Sequence, residues 1–449
     1  MRISVAGAGA GKTTKMADKI IASHESVAEH LNIYCIAFTN NAAEHIANKL
    51  VEHFGIVPKR IKVSTIHSFL YQEIIRPYYF LLYGKQYEKI SRIKLPQDAK
   101  TKNWKIQQLD KKNIIHIDAF SQRAMWVMVK KSSDRKREKE LRKVIHKEFS
   151  KYCGAIYIDE AQDIDVNVLQ IVKQLIDMDI PLEIMGDPKQ DLKGFGNLRK
   201  LVELYPQNVE YITECHRCPQ IHLDISNELI TDSERQKSCC GLEGVITVLY
   251  ENDIDVEKNI KDNNFDLKYI SMKNNRYETH GIDERSKKFD TLYYELVETV
   301  EKLFPDESSR TVIERVAYFW TGKLLKIYGE TQDAQKAMRT VFKSNRLTSK
   351  DYARIIQIVQ QNVLEVEGIV VNSIESIKGR EGYNCLFILT MDLAEYLLAK
   401  KKSDNKTKNK LYVALTRSLD KLTVLITNEV EEKYGREEIN RHLRSGLSV

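Results

Sequence analysis

The sequence predicts an α/β protein built on parallel sheets, and three observations indicate this class. Short β-branched segments alternate with helical segments, which is typical of parallel strands joined by crossover helices. A glycine-rich turn at residues 6–13 lies directly between a predicted strand and a predicted helix. The length of 449 residues exceeds what one hydrophobic core usually organises, so we expect two or more domains.

The predicted elements fall into two sets of strands with helical regions between them. The first set comprises strands at 2–6, 33–38, 155–158 and 182–185, with helices at 41–54 and 167–178. The second set, which predicts another α/β domain, comprises strands at 245–250, 267–272, 369–372, 385–389 and 422–427. Charged helical patterns at 76–150 and 280–365 interrupt these two sets and resemble insertions.

The composition is that of a globular chain. Hydrophobic residues make up 42% of the sequence and charged residues 30%, which is enough apolar material for real cores. No run of about eighteen apolar residues occurs, so we expect no membrane span. Seven cysteines are scattered through the sequence, a pattern that favours reduced thiols in the cytoplasm over a disulfide framework.

The net charge of +7 is modest, but two segments concentrate positive charge. Residues 130–147 contain nine lysines and arginines against three acids, and residues 400–410 contain six lysines against Asp404 alone. Each segment fits either a solvated surface or contact with nucleic-acid phosphates, and the sequence leaves both interpretations open.

The glycine-rich turn predicts an ATP site. In a P-loop, successive backbone N–H groups curl around phosphate oxygens at the start of a helix. Lys12 would reach the β and γ phosphates, and the Thr13 hydroxyl would ligate Mg²⁺. The first position of the pattern usually holds glycine, where this chain has Ala6. We expect the nucleotide to be bound by Gly7, Ala8, Gly9, Ala10, Gly11, Lys12, Thr13 and Thr14.

A pair of acidic residues follows the apolar strand predicted at 155–158. An NTPase needs one carboxylate for the metal's coordination shell and a second to polarise the attacking water. Asp159 and Glu160 supply these two carboxylates, so we expect Asp159 to bind Mg²⁺ together with Thr13.

Residues 159–163, Asp-Glu-Ala-Gln-Asp, resemble motif II of UvrD/Rep-like superfamily 1 DNA helicases. Further segments resemble the other motifs of that family in the family's order, and they lie at 6–13, 37–43, 64–69, 186–190, 216–218, 376–381 and 411–418. The chain resembles in particular a short form of the family, the helicase-like subunit of Gabija-type phage-defence systems.

The resemblance implies two RecA-like P-loop domains, each interrupted by a small helical insertion. The implied bounds are 1–75 and 151–208 for the ATP-binding domain 1A, 76–150 for its 1B-like insertion, 209–279 and 366–449 for domain 2A, and 280–365 for the 2B-like insertion.

The resemblance also implies roles for individual residues. Lys12, Asp159, Glu160, Gln190, Arg217 and Arg417 would act in catalysis, with the two arginines facing the γ phosphate from the second domain. Gly379 and Glu381 would contact the nucleotide. Contacts with the nucleic-acid strand would come from Thr39, Asn40, Thr65, His67, Phe195 and Ser373.

Two local features depart from the family or add to it. Glu375 stands where the family usually has His, which predicts a weaker contact with the strand at this point. Cys215 and Cys218 flank the segment at 216–217, and with Cys239 and Cys240 they are open to interpretation as a zinc site or as thiols without a metal.

Three functions compete at this level. The first is an ATP-dependent translocase or helicase that moves on single-stranded DNA, or on DNA with a single-stranded end. The second is a helicase-like ATPase that senses nucleotides or DNA ends as a subunit of an anti-phage nuclease complex, with the nuclease on a partner chain. The third is a binding module whose ATP site only switches conformation, and the presence of Glu160 and Arg417 weighs against it.

Overall fold

The computed structural model describes residues 1–96, 98–279, 283–305, 309–343, 347–360, 368–399 and 401–444. These residues belong to two compact units. The first unit comprises residues 1–86, 120–273 and 371–449, and the second comprises 87–119 and 274–370. Among the described residues, no helix is both long and apolar enough to cross a bilayer.

The strands alternate with helices along most of the chain, as the sequence predicts. The strands are β1 (Arg2–Ala6), β2 (Asn32–Ala37), β3 (Ile61–Thr65), β4 (Lys89–Ser91), β5 (Ile114–His116), β6 (Cys153–Ile158), β7 (Leu182–Gly186), β8 (Val209–Ile212), β9 (Glu214–Cys215), β10 (Lys237–Ser238), β11 (Val245–Tyr250), β12 (Leu267–Ile270), β13 (Tyr277–Glu278), β14 (Ile369–Val370), β15 (Asn372–Ser373), β16 (Gly382–Leu389) and β17 (Ser418–Ile426).

Helices flank the larger sheets and make up most of the two predicted insertions. They are α1 (Lys12–Ser26), α2 (Asn40–Phe54), α3 (Ile66–Phe69), α4 (Arg76–Tyr83), α5 (Ala99–Lys111), α6 (Phe120–Met128), α7 (Lys136–Ser150), α8 (Val166–Asp177), α9 (Asn197–Leu204), α10 (Gln220–Asn227), α11 (Val256–Asp262), α12 (Asp283–Leu303), α13 (Arg310–Thr331), α14 (Ala334–Val341), α15 (Ser349–Gln360), α16 (Met391–Leu397), α17 (Lys406–Leu415), α18 (Asn428–Tyr434) and α19 (Arg436–Arg444).

The first unit contains two large parallel sheets and one two-stranded parallel pair, β9 with β10. The N-terminal sheet has six strands in the order β3-β2-β6-β7-β1-β8, and every neighbouring pair is parallel. The second sheet has five strands in the order β11-β17-β16-β12-β15, again all parallel. Parallel sheets flanked by helices are the architecture of RecA-like P-loop domains, so the predicted α/β class is confirmed.

Differences in burial explain why some strands could be predicted from the sequence and others could not. All six residues of β6 are buried, and the apolar side chains of β16 and β17 form the core of the second sheet. The unpredicted strands β3 and β8 form the two edges of the N-terminal sheet and carry several half-buried or exposed residues. Strands that are open on one side need fewer apolar residues, so β3 and β8 lack a continuous hydrophobic run.

The second unit is mostly helical. Its core is formed by apolar side chains of α12, α13, α14 and α15, which include Leu292, Ala317, Met338 and Ile355. Two short parallel strand pairs, β4 with β5 and β13 with β14, complete it. Within this unit, Lys89 on β4 pairs with Glu301 on α12 at 2.9 Å. The strands β4 and β5 lie inside the segment 76–150, which the sequence predicts to be helical. Each strand has three residues, which are too few to show the alternation of polar and apolar residues that indicates a strand.

Candidate nucleotide and nucleic-acid site

The order of strands in the N-terminal sheet brings the predicted site segments together. The glycine-rich loop follows β1, the acidic pair follows β6, and the segment at 186–190 follows β7. These three strands are adjacent, in the order β6-β7-β1, and in a parallel sheet their carboxyl ends lie along the same edge. The segments at 37–43 and 64–69 follow β2 and β3, which continue this edge on the far side of β6.

The glycine-rich loop has backbone conformations that require glycine. Gly9 and Gly11 have φ values of 67° and 68°, in the left-handed region that favours glycine. A Cβ atom on Gly9 would lie 2.4 Å from the Cβ of Arg217, so this position is also closed to larger residues by contact. Gly11 precedes the first turn of α1, whose free N–H groups can bind an anion.

Lys12 and Thr13 begin α1 and face the acidic residues. The Lys12 ammonium donates to the carbonyl oxygens of Ala6 and Gly7, at 3.3 and 3.0 Å. The Thr13 hydroxyl donates to Oδ2 of Asp159 at 3.3 Å. Thr14, the next residue, is exposed. The contact between Thr13 and Asp159 brings together the two residues predicted to bind Mg²⁺.

Asp159 is fully buried at the end of β6. Burial raises the pKa of its carboxyl, the negative charge of Glu160 raises it further, and Lys12 and the Thr13 hydrogen bond act in the opposite direction. A divalent cation would relieve the cost of this buried negative charge. A hard cation prefers oxygen ligands, so the pair of a carboxylate and a hydroxyl fits Mg²⁺.

Glu160 has an unusual backbone conformation. Its φ is 54°, in the left-handed region, which is uncommon for a residue other than glycine. The carboxamide of Gln162 donates to the Glu160 carboxylate, and its oxygen accepts the backbone N–H of Asp187 at 2.9 Å. Gln162 is completely buried. It therefore fixes the position of Glu160, a role that was not among the predicted ones.

Gln190 lies in a buried polar network after β7. Its amide donates to Oδ2 of Asp187 at 2.9 Å, while Lys189 pairs with Asp187 at 2.9 Å and with Glu234 at 2.7 Å. Burial acts to raise the pKa of Asp187, but the charges of Lys189 and Lys12 outweigh it and lower the pKa below its usual range. Asp187 therefore carries a negative charge that holds Gln190 in place beside the glycine-rich loop.

Residues outside the first sheet also contact the glycine-rich loop. The backbone N–H of Ala8 donates to the hydroxyl of Tyr412 on α17 at 3.0 Å. That hydroxyl donates to Oε1 of Gln236 at 2.7 Å, and the Gln236 amide donates to the carbonyl oxygen of Ala8 at 2.9 Å. The prediction missed both side chains. Tyr412 lies within the segment 411–418, which resembles a family motif, so its neighbourhood could be predicted. Gln236 lies in none of the predicted motifs.

Arg217 lies against the same loop. The backbone N–H of the preceding residue, His216, donates to the carbonyl oxygen of Gly9 at 2.9 Å. The Arg217 guanidinium donates through Nε to Glu381 at 2.5 Å, which joins two of the residues predicted at the nucleotide. Gly379, close by in sequence, is exposed and has a φ of 81°.

Arg417 is buried, with 1% of its surface exposed. Its guanidinium donates to the carbonyl oxygens of Val413 and Arg380, at 3.1 and 3.3 Å. Burial lowers the pKa of Arg417 to about 10, and the positive charge of Arg217 acts in the same direction. The groups that favour its charge are those of Cys218, Tyr269 and Tyr412, and none of these is a carboxylate. An anion between the two arginines would therefore be bound favourably.

The hydroxyl groups predicted to contact nucleic acid accept hydrogen bonds from backbone N–H groups of nearby residues. Thr39 accepts the N–H of Ala42 at the start of α2, and Thr65 accepts that of Ser68 at the start of α3. Ser373 at the end of β15 accepts the N–H of Ser376 at 3.2 Å. Each of these three residues follows or ends a strand of one of the two parallel sheets.

The three remaining candidates for strand contact have accessible side chains. Asn40 and His67 are exposed, and the His67 ring lies 6.2 Å from that of Phe120. Phe195 is 38% exposed, and the Lys193 ammonium lies 5.7 Å from its ring centre. An exposed aromatic ring is available to stack on a base.

Much of the positive charge in the segment 400–410 is paired within the chain. Lys400 lies outside the described residues. Lys406 and Lys410 pair with Glu375 at 3.3 and 2.8 Å, Lys401 pairs with Glu395 at 3.0 Å, and Lys408 pairs with Asp404 at 2.6 Å. In the segment 130–147, Arg142 is buried against Asp134 at 2.7 Å. Both segments therefore offer less free charge than their composition indicates.

Comparison with known proteins agrees with this geometry. Residues 1–196 match the family model of an AAA domain. The Gabija protein GajB of Bacillus cereus (strain VD045) is 31% identical over 235 residues, which is 49% of this chain and 44% of that protein. The matched part thus spans less than half the length of this relative. The resemblance indicated by the motifs is confirmed: residues 1–196 match an AAA domain, and part of the chain is similar to a Gabija protein.

Proposed function

We propose that this chain hydrolyses ATP with Mg²⁺ and couples hydrolysis to movement along single-stranded DNA. The observation that carries the proposal is the meeting of Lys12, Thr13, Asp159 and Glu160 at the carboxyl ends of β1 and β6, with the hydroxyl of Thr13 3.3 Å from Asp159. Such a site supplies a phosphate-binding lysine, metal ligands and a carboxylate for the attacking water.

Each of these residues has a distinct task in hydrolysis. Lys12 would leave the carbonyl oxygens of Ala6 and Gly7 and bind phosphate oxygens instead. Thr13 and Asp159 would hold Mg²⁺, which neutralises charge on the β and γ phosphates. Glu160, positioned by Gln162, would accept a hydrogen bond from the attacking water.

The two arginines would stabilise the transferring phosphoryl group. Arg417 is buried with only neutral acceptors around its guanidinium, and Arg217 adds a second positive charge nearby. Phosphate oxygens would accept hydrogen bonds from both and offset their mutual repulsion. Arginines in this role contribute roughly 10³ to 10⁵ in rate elsewhere. Gln190, Gly379 and Glu381 would complete the surroundings of the γ phosphate.

The contacts of Tyr412 and Gln236 with Ala8 support coupling between hydrolysis and movement. Phosphate binding would use the N–H of Ala8, which the Tyr412 hydroxyl now occupies. Nucleotide binding and release would therefore change how α17 contacts the glycine-rich loop. We propose that this change displaces a single strand along Thr39, Asn40, Thr65, His67, Phe195 and Ser373.

A second candidate is a sensor of nucleotides or DNA ends that acts with a nuclease on a partner chain. The similarity to a Gabija protein favours it. In that case the same site would hydrolyse ATP, but the partner rather than translocation would use the resulting conformational change.

The test is phosphate release by the purified full chain, with and without single-stranded DNA. We expect DNA-stimulated turnover that Lys12→Ala abolishes, because phosphate binding is lost. Glu160→Gln should retain ATP binding but not hydrolysis. Lys49→Ala, which changes an exposed lysine on α2, is the matched control and should behave as wild type. Normal turnover of Glu160→Gln would contradict the assignment, and turnover that responds to a nuclease partner but not to DNA would favour the sensor.

A further inference from the structure

Two thiols lie side by side next to the glycine-rich loop. Cys215 ends β9 and Cys218 follows three residues later, and both are completely buried in a small cluster with Leu223. The backbone N–H of Cys218 donates to Sγ of Cys215 at 3.3 Å. A Cys-x-x-Cys segment in which the N–H of the second cysteine bonds the sulfur of the first has the spacing of redox-active cysteine pairs.

The pair faces the nucleotide side of the molecule. A Cβ atom on Gly9 would lie 2.9 Å from Sγ of Cys215 and 2.4 Å from the Cβ of Arg217. The sulfur of Cys215 therefore packs directly against Gly9, a residue of the loop predicted to bind phosphate. Cys215 is completely buried whereas Gly9 is half-buried, so we expect a small oxidant to approach the pair from the side of Gly9.

The surroundings favour a reactive thiolate on one sulfur of the pair. The hydrogen bond from the Cys218 thiol lowers the pKa of Cys215 to about 6; backbone N–H groups and the charge of Arg217 also lower it, against the effect of burial. The hydrogen bond to Cys215 and burial raise the pKa of Cys218. A thiolate beside a protonated thiol is the combination in which one sulfur attacks and the other resolves.

Metal binding does not account for this pair. Among the described residues, no group of three or more His, Cys, Asp or Glu side chains is arranged to hold a metal ion. The nearby thiols differ in surroundings: Cys239 is exposed and Cys240 is half-buried, with Sγ of Cys240 3.2 Å from the hydroxyl of Ser238.

We propose that Cys215 and Cys218 are a peroxide-oxidised site that forms a reversible disulfide around Arg217. The Cys215 thiolate attacks one oxygen of hydrogen peroxide; the S–O bond forms, the O–O bond breaks, and the hydroxide that leaves takes a proton from solvent. Cys218 then attacks the sulfur of Cys215. The S–S bond forms, the S–O bond breaks, and the leaving hydroxide takes the Cys218 proton. Two thiols and one peroxide thus give one disulfide and two water molecules, and the sulfurs lose two electrons in total.

The disulfide would act on the nucleotide site through Arg217, a consequence that rests on the proposed function. Arg217 lies between the two cysteines in the chain and contacts Gly9 and Glu381. Closing a ring around it would restrict the backbone that presents the guanidinium. We expect ATP turnover to fall by about tenfold or more. An arginine in this role contributes a factor of roughly 10³ to 10⁵ to the rate, so a partial loss of its position is enough to cause this decrease. A thiol reductant should restore it.

The primary experiment is peptide mass spectrometry on the folded full chain after mild hydrogen peroxide treatment, with ATP turnover measured on the same samples. We expect a disulfide-linked 215–218 segment and the loss of two free thiols. Cys218→Ser should leave a sulfenic acid on Cys215, detectable with a dione reagent. Controls are Cys385→Ser, which changes a buried thiol on β16 of the five-stranded sheet, and the double variant Cys239→Ser/Cys240→Ser. Both controls should still form the disulfide.

Oxidation confined to Cys239 and Cys240, or the absence of a 215–218 disulfide in the folded wild type, would overturn the proposal. A disulfide that forms without changing turnover would overturn its effect on Arg217. The mass measurement needs no variant to fold. It also stays readable if the chain has no ATP turnover, a result that would refute the proposed function instead.

Discussion

The backbone N–H of Ala8 donates a 3.0 Å hydrogen bond to the hydroxyl of Tyr412, so a residue of α17 occupies a group that a phosphate would need. The two residues are 404 positions apart in the sequence. Gln236 completes the contact by bonding to both the Tyr412 hydroxyl and the Ala8 carbonyl. If the proposed function holds, nucleotide binding would compete with this contact for the same amide.

Tyr412→Phe should increase ATP affinity because the Ala8 amide no longer has to leave a protein partner. A typical hydrogen bond contributes about 0.5–1.5 kcal/mol, which corresponds to an increase of about 2- to 10-fold. Titration with a fluorescent ATP analogue measures it. Tyr250→Phe is the control, since its hydroxyl faces the Arg436 carbonyl at 3.4 Å. Unchanged or weaker binding by folded Tyr412→Phe would contradict competition at Ala8.

Asp159 should make stability depend on pH when no divalent cation is present. Its pKa is raised to about 7, first by burial and then by Glu160, so the folded state holds a proton that the unfolded state has already lost. The stability gained from this proton is complete below the unfolded pKa of 3.8 and is lost as the pH rises towards 7. The free energy of unfolding should therefore fall across this window.

Urea unfolding of the wild type and of Asp159→Asn at several pH values in EDTA provides the measurement. Asp159→Asn should flatten the decline, and Mg²⁺ should reduce it in the wild type only. The exposed Asp177→Asn is the matched control and should keep the wild-type profile. An identical decline in Asp159→Asn would assign the pH dependence to other groups.

The motif residues could be named from the sequence because each belongs to a short local pattern in the segment that follows a strand. Lys12, Asp159 and Gln190 are of this kind, and the order of the parallel strands then brings them together. Gln162 and Gln236 could not be assigned roles in this way. Their partners lie on other elements, and which carboxamide reaches Glu160 or Ala8 depends on packing between segments far apart in the chain. The strands β3 and β8 could not be predicted either. They lie at the edges of the sheet and carry too few apolar residues to form a recognisable hydrophobic run.

Arg417→Met should lower ATP turnover by roughly 10³- to 10⁵-fold and leave ATP affinity within a few fold, as expected for a group that acts mainly in the transition state. Methionine is preferable to alanine here because Arg417 is buried and a smaller side chain would leave a cavity. Steady-state kinetics together with nucleotide binding give both quantities. Arg441→Met, at an exposed position on α19, serves as control. Equal losses of binding and rate would argue against a role confined to the transition state.

Phe195→Ala should weaken binding to single-stranded DNA by about 1–3 kcal/mol if the ring stacks on a base. The ring is 38% exposed, so its loss should not disturb the core. Fluorescence anisotropy with a labelled oligonucleotide measures the change. Phe80→Ala removes another exposed ring, 52% accessible, and should have no effect. An unchanged isotherm for Phe195→Ala would remove this residue from the strand contact.

Glu375→Gln should strengthen binding to single-stranded DNA by releasing paired lysines. Burial acts to raise the pKa of Glu375, but the hydrogen bond and charge of Lys410 and the charge of Lys406 outweigh it and lower the pKa. The carboxylate therefore stays ionised and paired with both lysines. Lys410 also donates to the Ser271 carbonyl at 3.0 Å and is only 12% exposed, whereas Lys406 is 48% exposed. The substitution should thus free mainly Lys406.

The logarithm of the binding constant falls linearly with the logarithm of the salt concentration. One additional phosphate contact on a single strand makes the slope of this line steeper by about 0.7. Binding measured between low and moderate salt should show this increase for Glu375→Gln, with a larger gain in affinity at low salt. Glu395→Gln makes the same change in net charge beside Lys401 and separates a local contact from a general electrostatic effect. If both variants steepen the slope equally, the contact is not specific to Lys406. If neither does, the segment 401–410 does not touch the strand, and its lysines serve the fold.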